Sequence, residues 1–364
     1  MAILEDIEVE AAYRRVRVPA RLVALFTRQL SAMLTAGVPL LQALDTLQDN
    51  EECPDMGNVV VVCGDLVSGG HTFSNSLSKF PRVFPPVYVN MVTIGEQVGQ
   101  LDDSLERLAV WLEKDEALRQ RVLSALSYPA LILSVATLLT LALFYTVLPG
   151  FLEVFREMHI PMPWITRVVM AITDATRNPA AWLAGISMLG LSFGAVQYVQ
   201  SRRRLKIIAY RWVLKIPVLG RMLRTGSLAR FCSAASTMMF SGLDLLRCYK
   251  LAAGSSGSPL LEKDSANLAK SIQEGELASS HFEANQDIYP PTLTHMVAAG
   301  EEASQLPELL QRAGAYYEEE CNYLVDALSA AIEPILLACV ASIIATVVLS
   351  IFLPMYSFIG DLGA

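Results

Sequence analysis

Three stretches of this sequence contain no Asp, Glu, Lys or Arg: residues 130–148, 180–200 and 335–353. Each is close to the roughly 20 residues that an α-helix needs to cross the hydrocarbon core of a bilayer. Over the whole chain 18% of residues are charged against 53% hydrophobic, a balance unusual for a soluble protein, and the apolar excess sits in these few segments. A buried core helix is the competing reading of any one such run, and three of them together favour membrane spans.

Other absences exclude function classes. The six cysteines, Cys53, Cys63, Cys232, Cys248, Cys321 and Cys339, show no C-x-x-C spacing, which indicates neither a zinc site nor a disulfide framework and leaves reduced thiols as the expectation. The four histidines, His71, His159, His281 and His295, form no H-E-x-x-H motif and no triad-like cluster, so scattered surface histidines are expected and no enzyme activity. Residues 254–259, Gly-Ser-Ser-Gly-Ser-Pro, lack the lysine of a phosphate-binding loop and read as a turn. No basic face dominates, and a net charge of -8 argues against nucleic acid and for a basic partner surface. The acidic N-terminus has no apolar core of a signal peptide, so no cleavable signal is expected. Strand-like alternation is absent as well, the run Val59 to Val62 being too short to oppose a helical reading.

What the chain does contain is a duplication. At an offset of 205 residues Phe26 meets Phe231, Gly37 meets Gly242, Pro85-Pro86 meets Pro290-Pro291, Gly95-Glu96 meets Gly300-Glu301, Pro129 meets Pro334 and Pro149 meets Pro354. Glycine and proline serve backbone geometries that other residues supply poorly, so their coincidence marks a repeated structure. The expected fold is all-α: a polytopic membrane protein with two homologous cytoplasmic helical bundles and three transmembrane helices. The boundaries read as a short N-terminal segment 1–20, bundle 21–127, span 128–149, an extracytoplasmic loop 150–179, span 180–200, a basic linker 201–225, bundle 226–332, span 333–354 and an extracytoplasmic tail 355–364.

Orientation follows from basic flanks, which stay on the cytoplasmic side. Lys114, Arg119 and Arg121 precede the first span, and Arg202, Arg203, Arg204, Lys206, Arg211 and Lys215 follow the second. Both bundles and the N-terminus are therefore expected inside. In the outer loop, Ile165, Val168, Val169 and Ile172 recur at helical spacing beside Trp164, which suits a helix at the membrane surface.

Within one bundle, Leu22, Phe26, Leu30, Met33 and Leu34 predict an amphipathic helix over 21–36 ended by Gly37, with Gly242 as its mate. Pro39 and its mate Asp244 both suit a helix start. Pro85-Pro86 opens a helix reaching about Val98, and a further one begins near Leu101, burying Leu101, Leu105, Leu108 and Leu112. Gly95-Glu96-x-x-Gly99 recurs as Gly300-Glu301-x-x-Ser304. The small residues either let two helices approach closely or, through Gly99, end one. Glu96 and Glu301 are either solvated or hydrogen-bonded carboxylates or, with Asp102 and Asp103, ligands to a divalent cation such as calcium. Pro129 and Pro334 stand where a span starts, a first helical position that needs no N–H partner. Gly185, Gly190 and Gly194 in the second span could support helix contacts in a homo-oligomer.

Residues 121–129, Arg-Val-Leu-Ser-Ala-Leu-Ser-Tyr-Pro, with the span behind them and Val147-Leu148-Pro149 closing it, resemble the signature of the type II secretion F / type IV pilus assembly C family. Phe26-Thr-Arg-Gln-Leu30, Ala36-Gly-Val-Pro-Leu40, Ile216-Pro-Val-Leu-Gly220, Ala229-Arg-Phe231 and both Gly-Glu motifs agree with it, from about residue 20 to about 358. The resemblance implies an inner-membrane platform protein for type II secretion or type IV pili. Its implied partners are a cytoplasmic assembly ATPase, pilin or pseudopilin subunits and other inner-membrane assembly proteins. The residues expected to fix its geometry are Gly37, Gly95, Glu96, Gly99 and Pro129, with mates Gly242, Gly300, Glu301 and Pro334. The first segment is shorter than in many members, and Ser304 departs from the second glycine of the motif. A transporter or channel subunit is the alternative from another class; it usually needs ionisable groups or broken helices at mid-membrane, which these spans lack.

Overall fold

The computed structural model describes residues 13, 16–48, 53–147, 149–151, 164–177, nine positions between 183 and 198, and 202–362. Among them the secondary structure is helical throughout, with no strand. The chain divides into two compact units, Met1–Arg121 with Tyr210–Leu324, and Val122–Ala209 with Val325–Ala364.

The first copy contributes α1 (Ala20–Thr35), α2 (Leu40–Leu47), α3 (Pro54–Ser68), α4 (Phe73–Ser78), α5 (Pro86–Val98) and α6 (Leu101–Ala142). Two helices follow, α7 (Trp164–Arg177) and α8 (Arg203–Leu214). The second copy contributes α9 (Leu219–Phe240), α10 (Leu245–Ser255), α11 (Pro259–Gln273), α12 (Ala278–Ala284), α13 (Pro291–Glu302) and α14 (Leu306–Leu362). The starts at 40, 54, 73, 86 and 101 recur at 245, 259, 278, 291 and 306, which is the offset read from the sequence.

The caps explain why. Gly37 and Gly242 sit at φ +83° and +86°, the left-handed region that a residue with a Cβ enters at a cost, and each ends the first helix of its copy. Pro39 is the N-cap of α2, one residue before the helix proper, and the Asp244 carboxylate at the matching position accepts a hydrogen bond from the backbone N–H of Arg247 at 3.0 Å. Pro86 and Pro291 occupy the first turns of α5 and α13, where a missing N–H costs nothing.

In the first unit the two copies do not form separate bundles; one hydrophobic core runs through both. Leu22, Phe26 and Leu30 of α1 are buried as their spacing requires, and Leu105 and Leu108 of α6 are fully buried, while Leu101 and Leu112 pack at its margin. Each copy centres on an equivalent ring that keeps one equivalent neighbour, Phe84 or Tyr289, and in the second copy gains two further rings where the first has Leu44 and Leu77. Phe26 packs on Phe84, at 6.3 Å between centroids, whereas Phe231 meets Tyr249, Phe282 and Tyr289. Helix α5 of the first copy touches α9 and α10 of the second. The Arg107 guanidinium lies 5.5 Å above the Phe240 ring, a cation–π contact that also joins the copies.

The stretch expected to be a basic linker is largely helical. It folds as α8, and α9 starts at Leu219, ahead of the boundary the sequence suggested. Between them the Ile216–Gly220 motif makes a corner. Val218 has φ +70°, Leu219 N–H donates to the Pro217 carbonyl at 2.9 Å and Gly220 N–H to the Ile216 carbonyl at 2.8 Å. A Cβ on Gly220 would run into the backbone carbonyl of Leu214, so only glycine fits there.

Two helices, one beginning at Leu101 and the other at Leu306, are long and apolar enough to cross a membrane, and their uncharged stretches belong to the second unit. Most of their apolar side chains are not buried against protein: Leu131, Leu138, Ile335 and Leu337 are each about 60% exposed or more. That removes the core-helix reading of these two runs, because a core helix hides its leucines. Of the third expected span, 180–200, only the nine positions already given are described; the rest lie outside the described residues. Pro129 lies inside α6 and is not a helix start, and Pro334 likewise lies inside α14. An interior proline leaves a carbonyl one turn back without its N–H, which membrane helices tolerate. Helix α7 turns Thr166, Val169 and Thr173 inward and leaves Trp164 and Val168 exposed. The Thr166 hydroxyl donates to the Ser350 carbonyl at 3.1 Å, and Val169 packs with Phe144 and Val347.

Candidate functional site

The Gly-Glu motif builds the turn between α5 and α6, and again between α13 and α14, and its three conspicuous residues do three different jobs. Gly99, at φ +74°, terminates α5; its N–H reaches the Glu96 carbonyl and that of Gln100 the Gly95 carbonyl at 2.8 Å, the paired bonds of a glycine-ended helix. Gly95 permits close approach. A Cβ there would stand 2.7 Å from both Cβ and Oγ of Ser104, so α6 folds back against α5 only because position 95 is bare. In the second copy a Cβ on Gly300 would meet Leu306 Cα at 3.0 Å. Both alternatives read from the small residues therefore hold, at different positions.

Glu96 reaches across to a helix that lies earlier in the chain. Its two carboxylate oxygens accept the backbone N–H groups of Phe73 at 2.5 Å and Ser74 at 2.9 Å, the first two donors of α4. Glu301 does the same for α12, taking the N–H groups of Ala278 at 2.8 Å and Ser279 at 3.2 Å. Helices this short do not hold in water by themselves, and a carboxylate on their orphan donors both satisfies those donors and complements the helix dipole. The carboxylates tie α4 to α5 and α12 to α13. Asp102 and Asp103 sit in the first turn of α6, where negative charge is favourable, and Pro307 takes the place of Asp102 in α14. Among the described residues no group of three or more His, Cys, Asp or Glu side chains is gathered for a metal ion.

A second cluster lies where α6, α9 and α14 converge in the first unit. Trp111, Asp115, Arg230 and Glu318 line a cavity of about 20 Å³, room for about one water. Arg230 donates from Nε to the Ser256 carbonyl at 2.9 Å and lies 4.0 Å from Asp115. One carboxylate oxygen of Asp115 is buried without a hydrogen bond, and that desolvation pushes its pKa above the ordinary value, against the opposing pull of Arg230. Nearby, Arg28 of α1 and Glu113 of α6 form a two-pronged ion pair, Nε to Oε1 at 2.7 Å and Nη2 to Oε2 at 2.6 Å, which holds Glu113 below the usual carboxylate range.

The expectation of scattered surface histidines is wrong for His281. It is buried in the second copy, with Nε2 2.9 Å from Asp264 Oδ2 and Nδ1 3.2 Å from Ser271 Oγ. The Tyr289 hydroxyl donates to the same Asp264 oxygen at 3.0 Å, and Asn267 to the other at 3.2 Å. At the equivalent positions the first copy has Val59 for Asp264, Leu66 for Ser271, Ser76 for His281 and Phe84 for Tyr289. One copy thus closes the same core by apolar packing and the other by a hydrogen-bonded network. The participants are too far apart in sequence to form a motif, so only the asymmetry between mates could have signalled them.

Comparison with known proteins matches the two copies separately. The family described as type II secretion system (T2SS), protein F, matches residues 26–149 and again residues 231–354. The chain is similar to a type IV pilus assembly protein PilC of Thermus thermophilus, at 32% identity over 93% of this chain and 83% of that one. It is 29% identical to a type IV pilus assembly protein PilC of Pseudomonas aeruginosa, over 92% of this chain and 89% of the relative. A type II secretion system protein F of the same organism is 28% identical, over 93% of this chain and 83% of its own length.

Proposed function

The chain belongs to the type II secretion system protein F family, and from that premise we propose that it is the inner-membrane platform on which pilin or pseudopilin subunits are added to a fibre, with energy from a separate cytoplasmic ATPase. Membership supports the assembly role, since relatives named for type IV pilus assembly and for type II secretion match nearly the whole chain. The observation that carries the platform reading is the pair of membrane-length helices with exposed apolar side chains, one in each copy. Such surfaces are suited to lipid and to the apolar helices of small membrane proteins, which pack against them by close van der Waals contact.

In this reading both copies and the N-terminus lie in the cytoplasm, with Arg202, Lys206, Arg211 and Lys215 held at the inner face. The cytoplasmic unit receives the ATPase. Its two carboxylate-capped turns, at Glu96 and Glu301, keep α4–α5 and α12–α13 from shearing when load is applied. Movement of the ATPase then rotates or tilts the platform as each subunit is added. The experiment is chemical crosslinking in the native cell, purification of the full chain in detergent and mass spectrometry of what comes with it. An assembly ATPase together with pilin-like subunits is the expected recovery, and the identity of the ATPase separates secretion from pili. A well-folded preparation that brings down neither class sinks the platform reading.

A further inference from the structure

The duplication has produced two copies of one helix pair with opposite charge on their outer faces. Helices α3 and α11 span 54–68 and 259–273, and α2 and α10 start at 40 and 245, so the two pairs are equivalent position by position. The same positions face inward in both: Ala43 and Leu44 correspond to Cys248 and Tyr249, and Cys63 to Leu268, all buried. The outward positions are therefore equivalent too. There Asp45 and Asp65 of the first copy correspond to Lys250 and Lys270 of the second, and Gln42 to Arg247; all six are exposed.

The difference extends along the helices. In α2 and α3 the charged residues are Asp45, Asp55 and Asp65, with no Lys or Arg. In α10 and α11 they are Arg247, Lys250, Lys263 and Lys270 against Glu262 and the buried Asp264. The acidic face also carries a groove of about 440 Å³ between α2 and α3, with Leu41 and Val61 exposed at its edges and Gly64 in its wall. On the basic face Ala269 stands at the position of Gly64. Lys270 pairs with Glu274 and Arg247 with Asp244 at the helix caps, each at 3.6 Å between exposed side chains, and pairs of that kind hold weakly.

We propose that the α2–α3 face of one molecule docks the α10–α11 face of a second copy of this chain, with Asp45 and Asp65 opposite Lys250 and Lys270. Common ancestry supplies the fit. Because the two helix pairs share one backbone plan, the spacing of the two carboxylates matches the spacing of the two ammonium groups, and two exposed apolar residues are covered at the same time. Complementary charge of this kind sets which partner is accepted and in what register. The inference concerns self-association and stands apart from the platform reading.

The test uses the full chain in detergent and its self-association by sedimentation. Asp45→Lys with Asp65→Lys makes both faces basic, and Lys250→Asp with Lys270→Asp makes both acidic. Each variant alone is expected to self-associate at least about tenfold more weakly than the parent, and an equal mixture of the two to recover association between unlike chains. Variants that associate as well as the parent overturn the proposal, and so does a mixture of helical, well-folded variants that stays dissociated. A second readout needs no charge reversal. In chains with Cys53→Ser and Cys339→Ser, a mixture of Asp45→Cys and Lys250→Cys molecules is treated with a thiol-specific bifunctional crosslinker about 10 Å long, since a direct disulfide would need Cα atoms closer than an ion pair requires. A crosslinked pair containing one of each is expected; pairing through another basic protein or through anionic lipid leaves the mixture uncrosslinked and excludes a second copy as the occupant.

Discussion

The Cβ that Gly95 lacks would stand 2.7 Å from the Cβ of Ser104. The obstacle is the stub of a side chain next to its own backbone, so α6 must move if position 95 gains even a methyl group. Gly95→Ala is expected to lose about 1–3 kcal/mol of stability, and Gly95→Val more, since overpacked sites relax only by shifting backbone. The loss is specific to the pair. Replacing Ser104 by glycine should return most of it in Gly95→Ala, and thermal unfolding of the single and double variants in detergent measures the coupling. Equal losses with and without Ser104→Gly would show that the crowding lies elsewhere.

Ser304 offers the opposite change. It holds φ +55° where its mate Gly99 holds +74°, and a left-handed residue with a side chain carries a cost of roughly 1–2 kcal/mol. Ser304→Gly is therefore expected to raise stability by about 0.5–1 kcal/mol, offset in part by the greater freedom of glycine in the unfolded chain, and Gly99→Ser to lower it by a similar amount. Denaturation midpoints read both. A Ser304→Gly variant that is less stable than the parent would mean that the serine hydroxyl matters more than its backbone.

Glycine and proline made the helix boundaries legible because caps are local. The φ of Gly37, the placement of Pro86 and the end of α5 at Gly99 each depend on residues within one turn. The role of Glu96 was not legible, since its partners Phe73 and Ser74 lie over 20 positions away and meet it only after α4 and α5 have packed. The carboxylate, read as either solvated or hydrogen-bonded or as a metal ligand, spends both oxygens on backbone donors, and it was the identity of those donors that the sequence hid. Pro129 misled for a related reason: its local chemistry suits a helix start, but α6 continues through it. His281 was hidden by sequence distance from Ser271 and Asp264, although the change from Val59 to Asp264 at a buried core position was visible in the repeat.

That change yields a prediction about additivity. Asp264→Val alone strips His281 and Tyr289 of their shared acceptor and is expected to cost roughly 2–4 kcal/mol, the penalty of buried polar groups left without partners. Adding His281→Ser and Tyr289→Phe installs the residues found at the matching places in the first copy, Val59, Ser76 and Phe84. The triple variant is expected to recover at least about half of that loss despite being further from the parent sequence, because the buried members go together and those left, Ser271 and Asn267, are half-buried and exposed and can turn to water. Chemical denaturation of the single and triple variants decides it. Losses that simply add would mean that the three side chains act independently.

Two carboxylates near the meeting of α6 with α1 and α9 should give pH effects of opposite sign. Glu113 is held below its ordinary value of 4.5, first by its hydrogen bonds from Arg28 and then by the charge of that arginine. A depressed folded pKa stabilises above the unfolded value, and the contribution is lost as the pH falls through 4.5 and below. With the Glu113 side chain 45% exposed and open to screening, it amounts to no more than about 1 kcal/mol. Asp115 is pushed above 3.8 mainly by burial, so its charge opposes folding at neutral pH and protonation on acidification relieves the opposition. Glu113→Gln should therefore lower the melting temperature at pH 7 and lose that deficit toward pH 3. Asp115→Asn should raise it at pH 7, with the gain shrinking over the same interval. Melting curves across that range separate the two, and a Glu113→Gln deficit of the same size at pH 3 would show that the Arg28 pair acts through packing and not through charge.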